Sequence, residues 1–265
     1  MRTPVFCLAV MLVQAQTVLV HVNVFDGTKL LRHQTVVVEG GVITGLGSKV
    51  EHPAGAQVID GKGKTLLPAL IDSATVHAAD WVQLVYDDGF AWGKRNPPVR
   101  LEALHDEVER IHKEHKRALV EVGSLRESLE ALHADADGLL RIFAGAQSDP
   151  VFVKQAVKRK VFIIPMLAVL EGASSSKTGK PRMEGSLVAL GQLHEAHVPL
   201  LAGGPDLALE LELLVRDVGL TPVEALQAAT SVPARVFGLK PRGYVVVDGD
   251  PTVSIGVLRS ARPVN

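Results

Sequence analysis

The sequence predicts an α/β fold: an incomplete or reduced (β/α) TIM-like barrel of about six parallel strands, with a small β-subdomain built from both chain ends. Three observations lead there. Residues 17–60 read as all-β, with β-branched runs broken by turn pairs. From residue 65 onward, apolar strand runs alternate with helical stripes. A last strand, 244–248, returns after the final helix and closes on the turn Asp248-Gly249-Asp250-Pro251.

In chain order, 17–23, 34–39 and 42–46 are expected strands, separated by Asp26-Gly27 and Gly40-Gly41. Thr65–Asp72 is a continuous apolar run of the kind buried on both faces of a parallel sheet. Strands follow at 81–86, 118–122, 139–143, 161–169 and 198–202. Between them lie a helix over 101–116 with Leu104, Val108 and Ile111 on one stripe, and a helix opened by Ser124 and running to His133. Further helices are expected near 150–158, 186–197, 207–218 and 222–236. The parallel run thus holds six strands where a closed barrel has eight.

The chain has 265 residues and a net charge of −1, with 47% hydrophobic and 22% charged residues, which excludes wholesale disorder. Near-neutral charge and 4% aromatics leave no electrostatic footprint or stacking platform for nucleic acid. Arg2, the apolar run 5–13 and Val13-Gln14-Ala15 read as a signal peptide cut near Ala15, hence an exported, periplasmic or extracellular chain. The run is too short for stable membrane insertion. The lone Cys7 excludes an intrachain disulfide. The expected organisation is a signal peptide over 1–15, a β-sandwich-like composite subdomain from 16–64 plus 243–265, and a barrel-like domain over 65–242.

Several motifs fall in one order along the chain: Asn23-Val24-Phe25-Asp26-Gly27-Thr28, the stretch from Val58 to Pro68, Leu70-Ile71-Asp72-Ser73, Pro199-Leu200-Leu201-Ala202-Gly203, Gly219 to Leu226 with Ala229-Thr230, and Val247-Asp248-Gly249-Asp250-Pro251. In these the chain resembles the amidohydrolase superfamily, in its imidazolonepropionase-like and prolidase-like branch. The resemblance implies a metal-dependent hydrolase acting on carbon–nitrogen bonds, with zinc or another divalent metal at the strand ends.

Residue by residue, the family's ligand positions correspond to Ala74, Val76, Gln83, Glu121, Arg141 and Pro205. The expected Asp-Ser-His-Thr-His reads Asp72-Ser73-Ala74-Thr75-Val76, with His77 one place late, and Asp206 is displaced by one. No imidazole remains at a ligand position, and Arg141 brings a permanent cation, so no metal or other cofactor is expected. From Ser73 the chain passes almost directly to the Trp81 strand, so the second and third β/α units of the pattern are missing. Two readings follow: a family hydrolase with impaired or no activity, whose remaining catalytic candidates are Asp206 and Glu121, or a non-catalytic binding or scaffold protein. Asp87, Asp88 and Arg141 are the substrate-binding candidates, the partner is a small molecule, and an unpaired sheet edge favours a homo-oligomer. Glu121 and Arg141 are expected to pair directly.

Other constellations are weaker. His112 and His115, with His105 on the same helix, and His194 with His197 have ligand-like i,i+3 spacing but the neighbours of a solvated face. The stretch 172–178 is similar to a phosphate-binding loop but lacks the glycine before Lys177, which leaves a Ser-rich loop.

Overall fold

A computed structural model describes residues 16–86, 101–145, 147–173, 183–240 and 242–264. The signal segment with Cys7, the Asp87-Asp88-Gly89 motif and most of the Ser-rich loop lie outside the described residues.

The chain ends build one seven-stranded sheet. Strand β1 (Gln16–Phe25) pairs antiparallel with β2 (Leu30–Glu39), which pairs with β3 (Val42–Gly47). The other edge of β1 is shared end to end by β4 (Gln57–Asp60) and β5 (Lys64–Pro68), both parallel to it. The C-terminal β10 (Tyr244–Asp248) lies antiparallel on β5, with β11 (Arg262–Val264) outside it. Leu19, Val22, Val24, Val36, Val38 and Leu66 form the core of this sheet. Asp26 sets the first hairpin: its Oδ1 accepts the N–H groups of Thr28 (2.8 Å) and Lys29 (2.9 Å), while Gly27 supplies the positive φ.

The second sheet is parallel: β6 (Trp81–Val85), β7 (Arg117–Glu121), β8 (Gly138–Leu140) and β9 (Phe162–Ile164), in that order. Helices α1 (Leu101–Lys113), α2 (Leu125–His133) and α3 (Pro150–Arg159) are the crossovers. Ser124 and Glu127 form a capping box that starts α2, each satisfying the other's backbone N–H. Leu104, Val108, Ile111, Leu132, Phe152 and Ala156 pack on the face carrying Leu84, Ala118, Val120, Leu139 and Ile163. The opposite face carries Leu119, Leu140, Phe162 and Ile164 against Ala74, Trp81, Leu201 and Phe237. Trp81, Phe162 and Phe237 meet edge to face, with centroids 5.3–5.7 Å apart. Gly138 makes room for this trio, since a Cβ there would lie 2.4 Å from Phe162 Cζ.

Four expectations are corrected. The parallel sheet has four strands rather than six, with a fifth position present only as a bridge between Ile163 and Leu200. Among the described residues β6 has no strand on its outer edge, so the sheet is not closed. The run 65–72 is not one parallel strand: residues up to Pro68 belong to the seven-stranded sheet, and only then does the chain cross over. There Ile71 and Ser73 donate to the carbonyls of Ala229 (2.8 Å) and Ala202 (3.0 Å). The strand expected over 161–169 stops at Ile164, because Pro165 has no N–H to donate and Met166 adopts φ 56°, after which α4 (Leu167–Ala173) begins. Gly172 therefore ends a helix rather than following a strand.

The last helices are also broken. After α5 (Glu184–Glu195), α6 (Leu207–Leu213) loosens into a π turn over 214–218. The expected helix 222–236 splits at Thr230 into α7 (Pro222–Ala228) and α8 (Ser231–Val236). Pro233 cannot donate the N–H that would carry α7's ladder through. No helix among the described residues is long and apolar enough to cross a membrane.

Candidate ligand site at the ends of the parallel strands

Where the parallel strands end, a cavity of about 390 Å³ opens. Its polar lining comes from Gln83 in β6, Glu121 at the end of β7, Arg141 just after β8, and Asp72 and Thr75 beyond β5. Ala74, Leu140, Met166 and Val169 give it apolar walls, and Gly204 and Pro205 complete it. Side chains alternate along a strand, so the register that sets Gln83 beside Leu119 puts Gln83 and Glu121 on the same face. The Gln83 amide reaches Glu121 Oε2 at 3.4 Å.

Arg141 gets there by a different route. The register pairs Glu121 with Leu140, and alternation would send Arg141 to the opposite, helix-covered face. Instead Arg141 takes φ 74°, its N–H still donating to Ile164 O at 2.8 Å, and its side chain lines the cavity. Its Nε lies 3.1 Å from Glu121 Oε1, with both side chains mostly buried (17% and 16% exposed). The Nε–H is not aligned for a hydrogen bond, so the contact is an ion pair rather than a linear donor–acceptor bond. Met166, also in the cavity lining, is left-handed too. Such conformations cost about 1–2 kcal/mol each and persist only where the surroundings enforce them.

Asp72 ties together two segments that bound the cavity. Its Oδ1 accepts the N–H groups of Gly204 (2.7 Å) and Ala74 (3.0 Å). Gly203 allows that approach, because a Cβ there would lie 2.6 Å from Ile164 Cγ2 and 2.9 Å from Ala74 N. Behind Met166, the fully buried Glu210 accepts the Ala168 N–H at 2.8 Å, while its Oε1 has no partner. Burial pushes its carboxyl up to about 7, against the pull of the backbone N–H groups of residues 166–168.

Of the ligand positions derived from sequence, Ala74, Gln83, Glu121, Arg141 and Pro205 line the cavity. Val76 does not; it packs on the apolar cluster and lines a neighbouring cleft with His77, Trp81 and Phe237. Asp206 is the N-cap of α6, accepting the Leu209 N–H at 2.9 Å. Asp87 and Asp88 lie outside the described residues. The histidine pairs do not converge: His112 meets Asp137 (2.9 Å) and His194 meets Glu224 (3.2 Å). His115 and His197 hold left-handed turns after their helices. No group of three or more His, Cys, Asp or Glu among the described residues could hold a metal.

The donor set at the strand ends does not fit the divalent metal that the resemblance implies. Of its two carboxylates, Glu121 faces a guanidinium and Asp72 accepts two backbone N–H groups, and no histidine among the described residues lines the cavity. Asp72, Thr75, Met166 and Glu210 were not singled out from sequence. Only Glu210 had a signal, an acidic residue on the apolar i,i+3/i+4 stripe of Leu207, Leu211 and Leu214.

No family model matches the sequence, and no curated protein matches it. Solved structures do. A Bifidobacterium longum protein assigned as a prolidase is 18% identical, with 94% of each chain covered and a TM-score of 0.68. A Xaa-Pro dipeptidase with bound methionine in its active site is 13% identical, covering 93% of this chain and 97% of its own, with a TM-score of 0.67. Ochratoxinase from A. niger is 13% identical, with 94% of each chain covered and a TM-score of 0.66. The chain therefore has an amidohydrolase-like fold. Identities this low establish the fold and leave the chemistry to the site.

Proposed function

We propose that this protein is a non-catalytic relative of the amidohydrolases that uses the cavity at its strand ends to bind a small molecule. The observation that carries this reading is the Glu121–Arg141 pair at 3.1 Å, standing at two positions where the family fold would present metal ligands. A permanent guanidinium beside Glu121 opposes a divalent cation, the cavity's other carboxylate, Asp72, already accepts two backbone N–H groups, and the neighbouring positions offer Ala74, Gln83 and Pro205. We read the open parallel sheet as a reduced barrel. Residues 76–80 lead straight from the turn at Ser73–Thr75 into β6, which supports the loss of intervening β/α units. Export rests on the N-terminal sequence pattern.

The test is metal analysis of the purified chain, together with hydrolysis of Xaa-Pro dipeptides and N-acyl amino acids in added Zn²⁺ or Mn²⁺. Substoichiometric metal and no rate above background are expected. One metal ion per chain retained through gel filtration, with turnover, would establish the hydrolase reading instead.

A further inference from the structure

A guanidinium has five N–H donors in a fixed planar fork. In Arg141 the buried Nε faces Glu121 without forming a hydrogen bond, and the Nη groups make no hydrogen bond to any described residue. The side chain is 17% exposed and its Nε is fully buried, so the guanidinium keeps only part of its hydration. A charged group largely out of water with unfilled donors is costly, and an acceptor brought into the cavity removes that cost. The edge left free is the Nη1–Nη2 end, whose spacing matches the two oxygens of one carboxylate. Leu140, Met166, Val169 and Ala74 wall the remaining space, and about 390 Å³ is at the small end of ligand cavities.

We infer that the cavity binds a small carboxylate with a short apolar tail, its oxygens on the free edge of Arg141 and its tail against Leu140, Met166 and Val169. This rests on reading the cavity as a ligand site rather than a metal centre. The local charges set the affinity. Asp72 already receives two backbone N–H groups on one oxygen, whereas Glu121 is the nearest like charge to an incoming carboxylate. Glu121 is a positioning residue: it holds the guanidinium and at the same time weakens binding. Replacing it by Gln keeps an acceptor for Arg141 and removes the repulsion.

The experiment is calorimetric titration of the full chain, in EDTA, with butyrate and hexanoate and with their amides. One saturable site for the acids is expected, hexanoate tighter than butyrate, and roughly thirtyfold or more weaker binding of the amides. E121Q binds hexanoate more tightly, and E121Q/R141Q, which removes both charges together and leaves neither unpaired, loses it. Equal binding of acid and amide, undiminished binding by E121Q/R141Q, or no binding by a wild-type chain with intact circular dichroism would each overturn the inference. That last result in a metal-free chain leaves the ligand-site reading standing. Binding that appears only when metal is restored defeats both.

Discussion

The carboxylate of Glu210 in α6 accepts the backbone N–H of Ala168 in α4 at 2.8 Å, from a position with no solvent exposure. That bond fixes the segment that follows β9, and with it Met166 and Val169 in the cavity wall. The link has a titration attached. Burial raises the Glu210 carboxyl from 4.5 to about 7 in the folded chain. A raised folded value means that the stabilisation is complete below about pH 4.5 and is lost as pH climbs towards 7, because the unfolded chain ionises first. The loss is on the order of 3 kcal/mol, taking 1.4 kcal/mol per unit. Denaturant melts of wild type and Glu210→Gln between pH 4.5 and 8 should show that slope in the wild type only. Glutamine keeps an acceptor for Ala168 and carries no charge, so a parallel slope in both proteins would assign the effect elsewhere.

The elements built on local signals were legible in the sequence. The Ser124 box, the Leu104–Val108–Ile111 stripe and the hairpin at Asp26-Gly27 each follow from a few neighbouring residues. What could not be read was set by backbone inversions and by partners distant in sequence. Met166 and Arg141 both adopt positive φ, which neither residue type signals, and at Met166 this ends the expected strand 161–169 early. The sequence predicts the Glu121–Arg141 pairing, but strand alternation alone does not deliver it. The register matches Glu121 with Leu140, and Arg141 arrives through its φ of 74°. Asp72 reads in the sequence only as part of a motif, because its partner, Gly204, is 132 residues away.

Asp72 is the next point to probe. With Oδ1 taking the N–H groups of Gly204 and Ala74, Asp72→Ala leaves two backbone donors at the cavity rim without their acceptor. A loss of about 1–3 kcal/mol is expected. Asp72→Asn, whose carbonyl oxygen can still accept both, should recover most of it. Urea midpoints of the two variants give the comparison, and equal losses would mean that the charge rather than the acceptor matters.

Gly138 tests the packing beneath the cavity. A Cβ there would fall 2.4 Å from Phe162 Cζ, against a ring wedged between Trp81 and Phe237. The ring cannot swing away without breaking two edge-to-face contacts, so Gly138→Ala should cost about 1–3 kcal/mol by overpacking. Adding Phe162→Leu frees the space that the methyl needs. The double variant should therefore lose less than the two single losses added together, as thermal melts can show. Strict additivity would mean that the two positions do not meet.

The Glu121–Arg141 contact has a measurable energetic signature of its own. Each side chain is about five-sixths buried, so removing one partner leaves the other's charge desolvated and unopposed. Arg141→Gln and Glu121→Gln should each destabilise the fold by about 1–3 kcal/mol, below the range for fully buried pairs because some exposure remains. The double variant places two neutral amides face to face and should lose less than the sum, with a coupling of about 0.5–3 kcal/mol. Arg141→Gly separates strain from charge. Glycine takes φ 74° freely and so regains about 1 kcal/mol of backbone cost while forfeiting the pair. In a Glu121→Gln background, where no carboxylate is left unpaired, Arg141→Gly should then be more stable than Arg141→Gln. If chemical denaturation ranks those two double variants the other way, the left-handed backbone at Arg141 is not strained, and the side chain itself holds the strand end in place.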